Sequence, residues 1–294
     1  MDIKTVGLML NLSLGEKVAV MARDLVNNLG RRGLDVLLLD EHASIIGEKG
    51  VSKEVLRKRC DCIFSLGGDG TLLSTVQIAA PERIPVLGIN LGGMGFLTEL
   101  GPEELNAGLE KILSGHYRIE NRLLLRGKVE RAGTAVKEVV CLNDCVVGRG
   151  AVGRSCRLEV RVDGYPVMKF KGDGIIVATP TGSTAYSFSA GGPVVEPVIG
   201  AIILTPICPH TFMARPMVVK ADAVVQVLLE TSVAGFSLTV DGQESIPLLA
   251  GDIVVIDRYP DHLRLIRVAE RSFYCVLREK LRLEGLRDFL SDKG

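Results

Sequence analysis

The stretch CIFSLGGDGTLLSTV, Cys62 to Val76, sets one acid among glycines. Ile63, Phe64, Ser65 and Leu66 read as a short central strand, and Thr71 onward reads as a helix with Leu72, Leu73 and Val76 on its apolar side. Asp69 therefore falls in a strand-to-helix turn. Glycines let the main chain come close to an anion, and the N–H groups that open a helix favour negative charge there, so Gly67, Gly68, Gly70 and Thr71 read as a phosphate cradle. A bare carboxylate in that place would repel phosphate. Asp69 needs another task, either holding Mg²⁺ or accepting a proton from an attacking hydroxyl. The plain alternative is a helix N-cap in an ordinary glycine turn.

Three further blocks carry polar chemistry. GINLGGMGFLTE, Gly88 to Glu99, follows the next strand and belongs at the same carboxyl edge, where ligands bind in open α/β sheets. KGDGIIVATPTGSTAYSFSAGGPVVEP, Lys171 to Pro197, gathers small and hydroxyl residues around one strand. Thr181, Ser183, Thr184, Tyr186 and Ser187 offer hydroxyls, Ala185 and the glycines allow close approach, and Asp173 accepts hydrogen bonds. This block reads as a polar ligand cradle, against the alternative of a loop that satisfies its own backbone. LNDCVV sets Asn143 beside Asp144, an amide and a carboxylate suited to sugar hydroxyls, or else a polar turn.

Other stretches carry no such chemistry. GRGAVG, Gly148 to Gly153, satisfies G-x-G-x-x-G literally, but a dinucleotide fingerprint requires a helix next, and RSCRLEVRV alternates like a strand. It reads as a hairpin loop. No G-x-x-x-x-G-K-[ST] occurs, and none of the four histidines has a metal-like companion.

These residues need elements to position them. At 294 residues the chain supports two domains, each with its own core. Thr5–Leu10, a helix over Glu16–Leu29, Asp35–Leu39, a charged stretch through Arg59, the Cys62 strand, the Thr71 helix, Ile84–Ile89 and a helix over Pro102–Leu113 give a β-α rhythm. That rhythm predicts an α/β domain with a mostly parallel sheet over residues 1–116. Beyond Tyr117 short alternating strands with turns between them predict an all-β, sandwich-like domain over 117–266. FYCVLREKLRLEGLRDFL returns to helical spacing, a tail over 267–294 that packs back on the first domain.

Lys plus Arg equals Asp plus Glu at 35 each, which gives no global pull toward nucleic acid or a membrane surface. Seven cysteines without a C-x-x-C pair, and no signal-like start, read as reduced thiols in a cytoplasm.

In order and in wording these blocks resemble the NAD kinase family: GGDGT, GINLGGMGFLTE, the Asn-Asp pair, the long Gly-Ser-Thr block, DGQ at Asp241–Gln243 and SFYCVLREKL, over nearly the whole chain. GGDG alone is shared with diacylglycerol, sphingosine and phosphofructo-kinases, so a lipid or sugar kinase is the enzymatic alternative and a non-catalytic NAD sensor the other. The resemblance implies an α/β domain joined to a β-sandwich, acting as a homodimer or homotetramer. It implies phosphorylation of the adenosine-ribose 2′-hydroxyl of NAD to NADP, with ATP as donor, polyphosphate as a second donor and Mg²⁺. By position Asp69 resembles the proton acceptor and Gly70 its neighbour at the substrate. Asn143 and Asp144 stand where a pair, most often Asn-Glu, contacts NAD. Arg154, Lys171, Asp173, Thr181, Thr184, Ala185, Tyr186, Ser187, Phe188, Ser189 and Gln243 match other NAD-contact positions. Ser74 stands where many relatives carry a basic residue, and Lys171 where relatives differ.

Overall fold

The computed structural model describes residues 3–93, 95–149, 155–230, 235–269 and 271–285, with side chains described to residue 280. Two units emerge: unit 1 comprises 1–120 and 264–294, and unit 2 comprises 121–263.

In unit 1 the elements run β1 (Thr5–Leu10), α1 (Glu16–Arg31), β2 (Asp35–Leu38), α2 (Asp40–Ser44), α3 (Lys53–Arg59), β3 (Cys62–Gly67), α4 (Asp69–Ala79), β4 (Val86–Asn90) and α5 (Leu105–Leu113). The strands are parallel in the order β2, β1, β3, β4. β1, β3 and β4 are buried along their whole length, as parallel strands covered by helices must be, and β2 at the edge is buried only over Leu37 and Leu38. α1 buries Val18, Ala19, Ala22, Leu25 and Leu29, a stripe at helical spacing, and places Glu16 in its first turn and Arg31 in its last, each suited to the helix dipole. α4 buries seven residues from Thr71 to Ala79, among them Leu72 and Val76, both fully buried. A fully buried Leu or Val side chain contributes roughly 1.5–3 kcal/mol.

Two helices, α2 and α3, lie in the stretch that reads from sequence only as charged. α3 has Ser52 as N-cap, accepting from the Val55 N–H, and buries Leu56 alone. One apolar anchor on seven residues is too little periodicity to read in a string.

β1 is followed in chain order by β2 on one side and β3 on the other. The chain ends of β1 and β3 thus flank the point where the strand order reverses, which is where open α/β sheets bind ligands. Asn11, just past β1, donates its N–H to the Leu66 carbonyl of β3 at 2.9 Å. Gly67 pairs with Asn90, so the turns after β3 and β4 leave the sheet side by side.

Unit 2 takes most of β5 (Arg118–Arg131) and then β6 (Thr134–Cys141), β7 (Asp144–Arg149), β8 (Cys156–Val162), β9 (Tyr165–Gly172), β10 (Gly174–Ala178), α6 (Tyr186–Ser189), β11 (Ala201–Ile207), β12 (Met217–Lys220), β13 (Val225–Leu229), β14 (Phe236–Val240), β15 (Glu244–Pro247) and most of β16 (Ile253–Arg267). One sheet is antiparallel in the order β12, β11, β10, β7, β14, β15. The other strands pair as β16, β13, β8, β9, with β5 joining β16 and β6. Val147, Val177 and Leu238 of the first set share a core with Val160, Phe170, Val227 and Ile256 of the second, which makes unit 2 a sandwich. Where a dinucleotide fingerprint would need a helix, the strand β8 follows the Gly148–Gly153 stretch, with alternating burial over Cys156–Val160; β7 and β8 lie in different sheets, so the stretch connects two sheets and is not the hairpin loop that the sequence suggests.

The chain returns to unit 1 at the end of β16, where Leu265 pairs with Val86 of β4. α7 (Phe273–Gly285) follows, and its Phe273 ring lies 6.5 Å from that of Phe96.

Candidate active site

In unit 1 Asp69 is the first residue of α4, with Gly68 as its N-cap, so the acid opens the helix two residues earlier than the Thr71 reading. Its side chain does not cap its own helix. Oδ2 accepts the Phe96 N–H at 2.8 Å, and Oδ1 accepts those of Leu97 at 3.1 Å and Thr98 at 3.3 Å. The second glycine turn is therefore the clamp on the acid of the first. Gly95 must lack a side chain for this, because a Cβ there would stand 2.0 Å from Asp69 Oδ1. Gly67 is held to glycine by Thr71 and Asn11 in the same way. Gly68 and Gly70 differ: a Cβ at either meets nothing within 4 Å, and neither has a positive φ. The fold itself does not require glycine at those two positions.

Asp69 is half-buried. Its Oδ2 carries one of these three hydrogen bonds while Oδ1 carries two, so Oδ2 keeps lone-pair capacity for a hydroxyl or a cation. Ser74, one turn into α4, is exposed and its hydroxyl donates to the Gly70 carbonyl at 3.3 Å.

In unit 2 a cleft of about 660 Å³ lies on the outer face of the six-stranded sheet. Strand alternation explains its lining: Asp144, Val146 and Gly148 of β7 face it, while Cys145 and Val147 point into the core. Of the residues singled out from sequence, Asn143, Asp144, Asp173, Ala185 and Tyr186 line this cleft together. Arg149 and Thr239 line it too without any signal in the sequence, as does Asp241, which stands out in sequence only as the first residue of DGQ.

Asp241 organises the Asn143–Asp144 turn. Its carboxylate accepts the N–H groups of Leu142 at 2.9 Å, Asn143 at 2.7 Å and Asp144 at 3.1 Å. The same turn is held from the other side by Thr179, whose hydroxyl donates to the Leu142 carbonyl and whose N–H donates to that of Asn143. Gly182 packs so closely on Asn143 that a Cβ would lie 2.1 Å from its carbonyl oxygen. Burial pushes the Asp144 carboxyl up to about 7, with the Asp241 charge as the lesser cause. Burial also pushes Asp241 up to about 6, against the pull of its three N–H donors. At the far end of β7, Arg149 grips Asp173 with two bonds, Nε to Oδ1 at 2.8 Å and a terminal nitrogen to Oδ2 at 2.9 Å.

The hydroxyl-rich block divides. Thr181 is buried and receives a bond from Arg122, and Thr184 donates to the Thr181 carbonyl. Ser183 and Ser187 are fully buried, the first bonded to Pro180 and Val195 and the second to Thr205. These hydroxyls shape the loop that carries Ala185 and Tyr186. Phe188 and Ser189 belong to the short α6, and Lys171 and Gln243 are exposed, all outside the cleft lining. Arg154 lies outside the described residues. The signal for Val146 and Gly148 was the period of two from Asp144; Asp241 and Arg149 could be placed only by strand pairing, Val240 with Cys145 and Gly174 with Gly148.

Two family models match the chain, the ATP-NAD kinase N-terminal domain over residues 20–117 and the ATP-NAD kinase C-terminal domain over 142–268. It is 42% identical to an NAD kinase of Desulforamulus reducens over 280 residues, 95% of this chain and 97% of that one. The chain belongs to the NAD kinase family. It is accordingly an enzyme. A Moorella thermoacetica NAD kinase is 44% identical over 96% of this chain and 90% of its own. Among solved structures, an Archaeoglobus fulgidus NAD kinase in complex with ATP matches at TM-score 0.74 and 29% identity, over 96% of this chain and 100% of that one. A yeast NADH kinase complexed with NADH matches at TM-score 0.87 and 23% identity, over 97% and 89%, which is likeness of fold.

Proposed function

We propose that this member of the NAD kinase family transfers the terminal phosphoryl group of ATP to the 2′-hydroxyl of the adenosine ribose of NAD, giving NADP, with Asp69 as the general base. The observation that carries the reading is the Asp69 carboxylate itself, fixed by three main-chain N–H groups at the strand-order reversal. Phosphoryl transfer passes through a loose transition state, so positioning and charge neutralisation supply most of the acceleration. A base contributes about 10² to 10⁴ more.

Asp69 Oδ2 accepts the ribose proton, and the Gly67–Thr71 main chain holds the donor phosphates in the space that Gly68 and Gly70 leave open. Mg²⁺ fits this donor set, since one carboxylate with donor phosphates and water completes its shell. When bound it supplies charge neutralisation at the transferring group. In the unit 2 cleft, Asn143 and Asp144 bond the hydroxyls of NAD, and Asp173 and Tyr186 orient it. The seven cysteines are thiols that form no disulfide, in keeping with a reducing cytoplasm, and a homo-oligomer belongs to the same proposal.

Incubation with NAD, ATP and Mg²⁺, with NADP as readout, tests the activity. NADH in place of NAD, and gel filtration, test the acceptor and the assembly. Absence of NADP formation would overturn the reading.

A further inference from the structure

The FLTE end of the second glycine turn and the segment after β16 are joined by a buried ionic network within unit 1. Glu99 and Arg267 are 6% and 8% exposed. Glu99 Oε2 accepts from an Arg267 terminal nitrogen at 2.9 Å, and Glu99 Oε1 accepts the N–H groups of Val268 at 2.8 Å and Ala269 at 2.7 Å. Arg267 also bonds Glu120 at 3.2 Å and donates to the Leu97 carbonyl at 3.2 Å. Leu97 is the hinge of the arrangement. Its carbonyl accepts from Arg267, while its own N–H donates to Asp69. On its two sides, Phe96 and Thr98 donate to the same carboxylate.

We propose that Arg267 and Glu99 are positioning residues for Asp69, acting through the main chain of Phe96–Thr98. The three N–H groups that orient the carboxylate come from one short loop, and that loop has its next residue, Glu99, locked to a segment more than 160 positions away in sequence. A guanidinium suits the role because its fixed fork reaches Glu99, Glu120 and the Leu97 carbonyl at once, which an ammonium cannot do. Burial of Glu99 and Arg267 shields their bond from competing water and so favours one position of the loop. The catalytic part of this inference rests on Asp69 being the base.

The test is a double-mutant cycle on the full chain. Arg267→Ala should lower kcat for NADP formation at least about tenfold with the KM for NAD within about twofold, and Arg267→Lys should recover only part. In an Asp69→Asn background the Arg267 substitution should cost nothing further, because the group it positions is gone. Hydrogen exchange at the Phe96, Leu97 and Thr98 amides should quicken in Arg267→Ala. Arg126→Ala, which breaks the paired Arg126–Asp257 contact in unit 2, should lower stability and leave kcat and those amides alone. If Arg267→Ala does not fold, Glu99→Gln carries the same cycle. Wild-type kcat in the Arg267 and Glu99 variants, or losses that simply multiply with Asp69→Asn, would overturn the proposal. Near-normal turnover of Asp69→Asn alone would instead remove the base. In that case altered exchange at the three amides supports the coupling, and unchanged exchange overturns it.

Discussion

Two carboxylates define the residue scale, and they are tuned in different ways. Asp69 is held by main-chain donors and keeps acceptor capacity on Oδ2. Asp69→Asn preserves shape but cannot take a proton, so kcat should fall at least about 10²-fold while NAD affinity stays within a few-fold. Steady-state kinetics and NAD titration check this, and a defect that responds to Mg²⁺ concentration would reassign the residue to metal holding. Asp144 is tuned by burial, which lifts its carboxyl to about 7 in the folded protein. In the unfolded chain the group returns to about 4, so folding is favoured at low pH and that contribution is lost as pH rises from about 4 to about 7. Each unit between the two values is worth roughly 1.4 kcal/mol, so the penalty at alkaline pH is on the order of a few kcal/mol. Asp144→Asn, without NAD, should therefore raise Tm more at pH 8 than at pH 5 and little at pH 3. A Tm difference independent of pH would contradict the burial argument.

At the scale of elements, glycines in neighbouring turns serve opposite purposes. Gly95 is excluded from any other identity by Asp69, so Gly95→Ala should displace the loop, lower Tm and lower kcat. Gly68 faces open space, so Gly68→Ala should fold with unchanged Tm and raise the KM for ATP, because its methyl group occupies the phosphates' place. Equal Tm losses in the two variants would show that Gly68 has a structural role. A turn that holds phosphates by its main chain reads phosphate more than base. NADP formation with ATP, GTP, CTP and inorganic polyphosphate at equal concentration should show loose discrimination and some polyphosphate-driven turnover. Strict dependence on ATP would point to a base pocket outside these elements.

On the scale of the whole molecule, unit 1 is built from both ends of the chain and unit 2 from one continuous stretch. The closing segment supplies Ile266 to the unit 1 core, Leu265 beside Val86, and the Arg267 bonds. Removing residues 264–294 should therefore strip amide protection from β1, β3 and β4 while β7, β10 and β14 keep theirs, read by hydrogen exchange. Retained protection in the parallel strands would show that unit 1 needs only its first 120 residues. Among the described residues no helix is long and apolar enough to cross a membrane.

The amino-acid string by itself determined the β-α rhythm, the change to alternating strands, and the acid among glycines after a central strand. Each is a local pattern written in residue order, since helix and strand periods and turn chemistry act over a few positions. It also exposed GRGAVG as a false fingerprint, because the strand that follows is local too. Only the tertiary structure decided what Asp69 touches, that Gly95 is glycine on its account, and that Thr181 and Ser187 spend their hydroxyls on Arg122 of β5 and Thr205 of β11. It alone brought Asp241 beneath the Asn143–Asp144 turn and Arg149 onto Asp173. The last two contacts join residues 98 and 24 positions apart. Strand pairing sets them, and pairing partners are chosen by the packing of a whole sheet, which no short window of sequence contains.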